Sequence, residues 1–278
     1  MFDPFNDFEK SGYLRNVRKD KDQAVIKTFE HNLFRANLSE ALQFLKSKKI
    51  LAYKEFLQVH QILFSSYYPW AGQDRSVTMP DRAVIKGKVH FCHPLDSKRA
   101  VECGLILGQK KSEMEKRPGE VMGLFAYGHP FLDGNGRTML LFHLELTHRA
   151  GYSISWADTK KVEYLTALSQ EIEKPGQGIL DSYLTQFKGP LIDRSNWAQS
   201  LLSMKGLDGL DEGNQIDGSL SDPIVAERYQ DFEKRRDYAY AAINVNSSDS
   251  ESEVCSDCKN VPCTCGGDGR SGTSQPRG

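Results

Sequence analysis

A nine-residue stretch from His129 to Arg137 combines residue types that could together handle a phosphate group. His129 is a proton acceptor, Asp133 is a carboxylate suited to a divalent cation, and Arg137 is a permanent cation. A Gly-Asn-Gly turn joins the last two, and an apolar helical run from Thr138 to Ala150 follows at once. Because free backbone N–H groups and the helix dipole favour an anion at a helix N-terminus, this order predicts a phosphate site.

The alternative reading of the same stretch is an ordinary loop. Asp-Gly-Asn-Gly alone is a common turn signal. His129 on one side and Arg137 on the other favour the chemical interpretation, because a plain turn requires neither of them.

The stretch resembles the signature of the Fic family (filamentation induced by cyclic AMP), His-x-Phe-x-Asp/Glu-Gly-Asn-Gly-Arg-x-x-Arg. The run Tyr68-Pro-Trp-Ala-Gly72 with Arg75 resembles the landmark that precedes this family's β-hairpin flap. The resemblance covers roughly residues 20 to 190. It implies an all-α fold, a Fic-type helical bundle with one short β-hairpin flap, to which this chain adds a C-terminal helix and a Cys-rich tail.

By this resemblance the chain is expected to be a protein adenylyltransferase. Such an enzyme moves AMP from ATP to a Ser, Thr or Tyr hydroxyl of a target protein. His129 would be the general base, since an ordinary imidazole with a pKa near ~6.5 accepts a proton at neutral pH. Phe131 would be an apolar anchor for the loop.

The resemblance also assigns the groups that would hold the donor. Asp133 would bind Mg²⁺, which bridges phosphate oxygens and neutralises developing charge. Backbone amides of Gly134, Asn135 and Gly136 would contact the phosphates, and glycine would allow close approach. Arg137 would clamp the departing β-phosphate.

The second arginine of the family pattern is absent, because position 140 is Leu140. In the family that arginine steadies the terminal phosphate. Its replacement leaves other donors open: transfer of UMP, phosphocholine or a plain phosphate is the alternative within enzymes. A non-catalytic scaffold that binds a nucleotide or a protein is the alternative from another class, although a pure binder needs neither His129 nor Asp133.

Three short β-leaning runs predict the hairpin: Ser76–Met79, Ala83–Ile85 and Lys88–Cys92, with turn signals between them. By resemblance this flap would register an extended target segment by strand addition, in which backbone groups do the pairing. The other reading is a structural hairpin without a ligand. The candidate flap residues are Val84, Ile85, Lys86, Gly87 and Lys88.

Apolar residues at three- and four-residue steps predict the helices around the motif, and Gly151 is the expected C-cap of the helix that follows it. Composition shifts divide the chain further. The predicted regions are an N-terminal segment (1–20), the Fic domain (21–190), a linker (191–220) with a short helix over Trp197–Leu202, a C-terminal helix (221–245) and a tail (246–278).

The family often carries an inhibitory helix with the pattern Ser/Thr-x-x-x-Glu-Gly/Asn. Only Thr159–Glu163, Ser169–Glu173 and Ser247–Glu251 have this spacing, and none is followed by Gly or Asn. Self-inhibition of that type is therefore not expected. We expect instead restraint by a separate, antitoxin-like inhibitory protein, as for a toxin-like enzyme, or no restraint.

Charge and hydropathy limit the partners and the compartment. The 278 residues carry 36 basic and 37 acidic side chains, so the net charge of −1 gives no support for a nucleic-acid partner. The acidic start of the chain does not look like a signal peptide, and no run is long enough to span a membrane. The expected location is cytoplasmic.

Four cysteines crowd together near the end of the chain: Cys255, Cys258, Cys263 and Cys265. Four thiolates at this spacing can close one tetrahedral Zn²⁺ site, which would be structural because it leaves no open position. The alternative is an unstructured Cys-rich tail.

Overall fold

Helices dominate the part of the chain that the computed structural model describes, which is residues 2–204, 206–207 and 213–234. They are α1 (Phe8–Ser11), α2 (Gln23–Ser47), α3 (Tyr53–Phe64), α4 (Arg75–Thr78), α5 (Ser97–Gly108), α6 (Lys111–Lys116), α7 (Pro118–Gly128), α8 (Asn135–Ala150), α9 (Lys161–Glu173), α10 (Ile179–Thr185), α11 (Trp197–Leu202) and α12 (residues 223–234). The predicted helical fold is confirmed.

The strands are short and form two small antiparallel sheets. They are β1 (Arg82–Lys86), β2 (Val89–His90), β3 (Ser153–Ile154), β4 (Lys188–Gly189) and β5 (Gln215–Ser219). One sheet has the order β2-β1-β5, and the other pairs β3 with β4.

Helix α8 is the buried centre of the bundle. It packs against α2, α3, α6 and α7, and Leu141, Phe142 and Leu146 on it are fully buried. It ends where Gly151 adopts a left-handed conformation (φ 97°), at the C-cap predicted from the sequence. A central helix of this kind fixes the position of the loop that precedes its N-terminus.

Helix α2 supplies one wall of the site. The Asp22 side chain accepts hydrogen bonds from the backbone N–H groups of Ala24 and Val25, which fixes where the helix begins. The helix buries an apolar stripe that includes Phe34 and Leu38, and it packs against α3 and α8.

One predicted strand is wrong. Ser76–Met79 was expected to be β-structure, but Arg75–Thr78 forms the helical turn α4. The cause is local capping: the Asp74 side chain accepts a hydrogen bond from the Ser76 backbone N–H, 2.9 Å away. The predicted hairpin lies after this turn, in β1 and β2.

The expected linker over 191–220 is ordered in its described parts. Helix α11 occupies the predicted positions, but Gln215–Ser219 is strand β5, paired with β1. Its glycine serves close packing, since a Cβ on Gly218 would lie 2.9 Å from Val225 Cγ2. Composition alone suggested a linker because it does not distinguish a flexible glycine from a closely packed one.

The C-terminal helix begins as expected. The Asp222 side chain accepts a hydrogen bond from the Ile224 backbone N–H, 2.9 Å away, and Pro223 is in the first turn. The rest of the helix predicted to residue 245 and the four candidate zinc ligands, Cys255, Cys258, Cys263 and Cys265, lie outside the described residues. Among the described helices, none has the length and apolarity needed to cross a bilayer.

Candidate active site

His129 follows α7 in a strained backbone conformation that a buried arginine holds in place. Its φ of 39° and ψ of 55° lie in the left-handed region, which is unfavourable for residues other than glycine. The guanidinium of Arg75 is fully buried, and its Nε donates to the His129 carbonyl oxygen at 2.7 Å. The Arg75 backbone N–H donates to the Pro130 carbonyl oxygen, also at 2.7 Å. These two hydrogen bonds offset the backbone strain at His129, whose conformation sets the direction of the imidazole ring.

The imidazole of His129 is neutral at physiological pH. It stacks on the Phe91 ring with 3.6 Å between centroids. Burial lowers its pKa well below the usual value, and the positive charges of Arg75 and Lys86 lower it further. Its Nε2 has no hydrogen-bond partner among the described residues. A neutral ring with an open nitrogen can accept a proton.

A second histidine, His60, pins the loop after His129. Its ring stacks on Phe131 at 3.7 Å. Nδ1 accepts a hydrogen bond from the Gly72 backbone N–H, so Nε2 carries the hydrogen and donates to the Asp133 carbonyl oxygen at 2.9 Å. Burial lowers the pKa of His60 to about 3. Phe131 is therefore a buried anchor, as the resemblance implied.

Asn135 closes the same loop with its side chain. Its Oδ1 accepts from the Phe131 backbone N–H at 2.9 Å, and its Nδ2 donates to the Phe131 carbonyl oxygen at 2.7 Å. The side chain of Asn135 thus fixes the loop, and its backbone N–H is available for a ligand. Gly134 is required here, because its φ is +79° and a Cβ would lie 2.6 Å from Phe64 Cε2.

Four charged groups surround the start of α8: Lys27, Glu30, Asp133 and Arg137. Lys27 Nζ lies 2.6 Å from Asp133 Oδ2 and 3.1 Å from Glu30 Oε2. Arg137 Nη2 lies 3.0 Å from the same Glu30 oxygen, and Nη1 of Arg137 is buried without a partner in the described chain. Burial would raise the pKa of Asp133, but Lys27 and Arg137 hold it well below its usual value. Asp133 is therefore ionised.

Lys27 and Glu30 were missed in the sequence. They lie about a hundred residues before the motif on α2, in a stretch where the apolar stripe was the dominant pattern. The one available indication of a buried charge was Glu30, which lies on the side of the apolar stripe. Glu30 is fully buried in the structure.

A cleft of about 150 Å³ lies at the N-terminus of α8. His129, Asp133, Gly136, Arg137, Lys27 and Lys86 are among the residues that line it. The backbone N–H groups of Asn135, Gly136 and Arg137 donate no hydrogen bond to other described residues, as expected for the first turn of a helix. The cleft thus collects hydrogen-bond donors, cations and one neutral imidazole, which suits a phosphate ester.

Leu140 lies 4% exposed in the packing of α8 and offers the cleft no charge. Lys27 on α2 is one of the cations that line the cleft.

The candidate flap residues are divided between a strand and a turn. Val84, Ile85 and Lys86 belong to β1, whereas Gly87 and Lys88 form the turn to β2. Only Lys86 lines the cleft. Both edges of β1 are paired within the described chain, one with β2 and one with β5.

Comparisons with known proteins agree with this geometry. Residues 50–146 match the model of the Fic/DOC family. Protein adenylyltransferase VbhT of Bartonella schoenbuchensis is 30% identical over 183 residues, which cover 59% of this chain and 35% of VbhT. The probable protein adenylyltransferase y4lH of Sinorhizobium fredii is 29% identical over 164 residues, covering 56% of this chain and 81% of y4lH. The chain thus matches about a third of one relative and most of the other.

Solved structures share the fold. The N-terminal Fic domain of a putative cell filamentation protein from Bartonella quintana has a TM-score of 0.54 and 21% identity, covering 70% of this chain and 96% of that one. The type IV secretion system effector protein BepA has a TM-score of 0.52 and 18% identity, covering 71% of this chain and 72% of its own. At this identity the similarity concerns the fold alone.

Two glycines of the motif allow a test of the site's construction. Gly134→Ala should lower the free energy of unfolding by about 2 kcal/mol or more, because a methyl group collides with Phe64 at a left-handed position. Gly136→Ala should leave stability within about 0.5 kcal/mol, because the added Cβ meets no described atom within 4 Å beyond its chain neighbours and the nearby backbone of its own helix. Urea unfolding of both variants measures this difference. Equal losses would contradict it.

Buried neutral histidines should make the fold acid-sensitive. The folded-state pKa of His60 is lowered from 6.5 to about 3, so the unfolded chain binds more protons between these values. The stabilising contribution is complete above pH 6.5 and is lost as pH falls towards 3, by about 1.4 kcal/mol per pH unit. His60→Gln should flatten the pH dependence of the free energy of unfolding from pH 7 to 4.5. An unchanged slope in His60→Gln would contradict the assignment.

Proposed function

We propose, from the premise that residues 50–146 form a domain of the Fic/DOC family, that this protein is a transferase that moves AMP from ATP to a hydroxyl group of a target protein. Two relatives that carry the name protein adenylyltransferase support a transferase of this kind. Features of the site support ATP as the donor and a hydroxyl group as the acceptor.

The observation that carries the proposal is the cleft at the N-terminus of α8. Three backbone N–H groups without a partner among the described residues lie at the positive end of a 16-residue helix. Arg137, whose Nη1 has no partner in the same part of the chain, also lines the cleft. Each of these features favours bound phosphate. His129 lines the same cleft, so a base lies beside the phosphate site.

The neutral His129 fits the role of general base for a hydroxyl acceptor. The hydroxyl oxygen would form a bond to the α-phosphorus, and the bond from that phosphorus to the β-phosphate would break. The hydroxyl proton would pass to His129, and pyrophosphate would leave. Arg137, at the start of α8, would neutralise the charge that builds on the departing β-phosphate.

The residues present fit a Mg²⁺ ion. Asp133 is ionised and lines the cleft, and magnesium in such sites is held by one or two carboxylates together with substrate phosphates. Magnesium bound there would supply charge neutralisation on the phosphate oxygens. Asp133 would have to share its Oδ2 with the Lys27 ammonium, which lies 2.6 Å away without the ion.

Lys27 is the group we assign to the outer phosphate of the donor. The buried Leu140 cannot make this contact. Lys27 lines the cleft, and its ammonium group is held in place by ion pairs with Glu30 and Asp133. A flexible ammonium grips a terminal phosphate less specifically than an arginine fork. Transfer of UMP or phosphocholine therefore stays the alternative within enzymes. A scaffold that binds without turnover is less consistent with the open Nε2 of His129.

Label transfer tests the proposal. The purified chain is incubated with lysate proteins, Mg²⁺ and one of three donors: α-labelled ATP, γ-labelled ATP or α-labelled UTP. The proposal predicts protein-bound label from α-labelled ATP only. Label from γ-labelled ATP alone would indicate phosphorylation, and label from UTP would indicate UMP transfer.

His129→Ala is the control in each arm. The variant should lower the labelling rate by at least about a hundredfold, the range expected when a general base is removed. Label that persists in the variant would mean that His129 is not the base. No label from any of the three donors, with the protein folded, would count against AMP transfer by the unaltered chain.

The donor site can be tested apart from turnover. Gly136→Ala leaves the protein contacts unchanged but places a methyl group against the cleft. We expect weaker ATP binding by about tenfold or more in isothermal titration, since the glycine permits close approach of a phosphate. ATP affinity equal to that of the unaltered chain would place the phosphates elsewhere.

A further inference from the structure

Strand β5 pairs with β1, the flap strand to which a target segment was expected to add as a further strand. Its register pairs Ile216 with Val84 and Gln215 with Ile85, with a bulge between Ala83 and Val84. A strand of the same chain therefore lies antiparallel along β1 next to the cleft. An incoming segment that added to this edge would have to take the place of β5.

Asn214, immediately before β5, lies beside the proposed base. Its Nδ2 donates to the Leu132 carbonyl oxygen at 2.9 Å, within the signature loop. It also lines the cleft together with His129, Lys86 and Gly213. Asn214, which directly precedes β5, thus shares the cleft with the proposed base.

Helix α12 holds the strand in place from behind. Val225 and Tyr229 form an apolar cluster with Ala83 of β1, and Leu220 packs against it. The Leu220 backbone N–H donates to the Asp81 carbonyl oxygen at 2.8 Å, and the Tyr229 hydroxyl lies 3.4 Å from the Val84 carbonyl oxygen. Strand β5 is therefore held both by its pairing with β1 and by contacts just beyond its C-terminal end.

Asn214, next to β5, carries a functional group that cannot accept AMP. A carboxamide has no acidic hydroxyl proton, and its nitrogen lone pair is delocalised, so Asn214 cannot act as the acceptor. The nearest hydroxyl within β5 is on Ser219, which pairs with Arg82 at the opposite end of β1. The segment thus has the antiparallel pairing with β1 that is expected of an acceptor segment, but the group that would react is missing.

We propose that residues 213–219, here named the strap, are an intramolecular pseudosubstrate that occupies the acceptor site. This inference rests on the proposed function. It also identifies the acceptor class: an extended segment with a Ser, Thr or Tyr at the position of Asn214, which pairs with β1 after the strap has left. The enzyme would then be inhibited by a segment of its own chain. It would require neither a separate inhibitory protein nor an inhibitory helix that carries a glutamate.

Asn214→Ser tests the inference directly, because it supplies the missing hydroxyl. The serine oxygen would bond to the α-phosphorus of ATP, its proton would pass to His129, and pyrophosphate would leave. We expect the variant to label itself at residue 214 to nearly one AMP per chain, at a rate independent of protein concentration. Intact mass and peptide mapping locate the label, and addition of His129→Ala should abolish it.

Release of the strap supplies a second, independent test. Val225→Asp places a charge in the buried cluster with Ala83 and Tyr229, whereas Ile224→Asp changes a residue that is 70% exposed and serves as the matched control. The acceptor is a synthetic peptide of residues 213–221 carrying Asn214→Ser, and the unaltered peptide is its control. We expect Val225→Asp to label the altered peptide about tenfold faster than Ile224→Asp does, because the competent population rises.

The outcomes separate the two proposals. Labelling of residue 214 in the Asn214→Ser variant, with faster peptide labelling by Val225→Asp, supports the pseudosubstrate. If the unaltered chain labels lysate proteins through His129 but neither result appears in folded variants, the strap is a fixed part of the fold, and the proposed function stands without it. If no variant labels any protein, the proposed function fails and the inference fails with it. Circular dichroism establishes that the variants are folded.

Discussion

The buried guanidinium of Arg75 is the contact on which the geometry of the site depends. Its Nε bonds the His129 carbonyl oxygen at 2.7 Å, and its Nη2 bonds the Cys92 carbonyl oxygen at 3.0 Å. One side chain thus joins the end of α7 to the segment that leaves the flap. Because peptide carbonyls buried away from water need such partners, this cation also makes the left-handed turn at His129 tolerable. Its charge then helps to keep the imidazole neutral.

A second constraint is the charge balance at the start of α8. Glu30 is fully buried and contacts both Lys27 and Arg137, while the Tyr68 hydroxyl donates to its other oxygen. A buried carboxylate without such partners would be strongly destabilising. The arrangement fixes the two cations at the cleft and leaves one nitrogen of Arg137 without a partner among the residues that the structure describes. The residues that neutralise one another are thus also the ones proposed to bind phosphate.

Much of this architecture could be predicted from the sequence, because it depends on local patterns. The apolar steps of the helices, the cap at Gly151 and the turn after Lys86 all follow from neighbouring residues. The motif around His129 predicts a phosphate site because a glycine-rich turn before a helix leaves backbone N–H groups free for an anion. The match to the Fic/DOC model confirms the family resemblance that the motif suggested.

What could not be predicted depends on contacts between distant parts of the chain. Lys27 reaches Asp133 across about a hundred residues, and no local pattern marks it. The Asp74 cap turned a β-leaning run into a helical turn. Strand β5 looked like linker because its glycine and polar residues form a strand only when β1 and α12 lie beside them. The feature that bears most on acceptor binding was thus among those hidden from the sequence.

A crystal structure of the chain with a non-hydrolysable ATP analogue and Mg²⁺ is the most direct test of the account. It should place the analogue's phosphates against the backbone N–H groups of Asn135, Gly136 and Arg137, with the α-phosphorus facing Nε2 of His129. Phosphates bound elsewhere on the protein, or an α-phosphorus directed away from His129, would contradict the account.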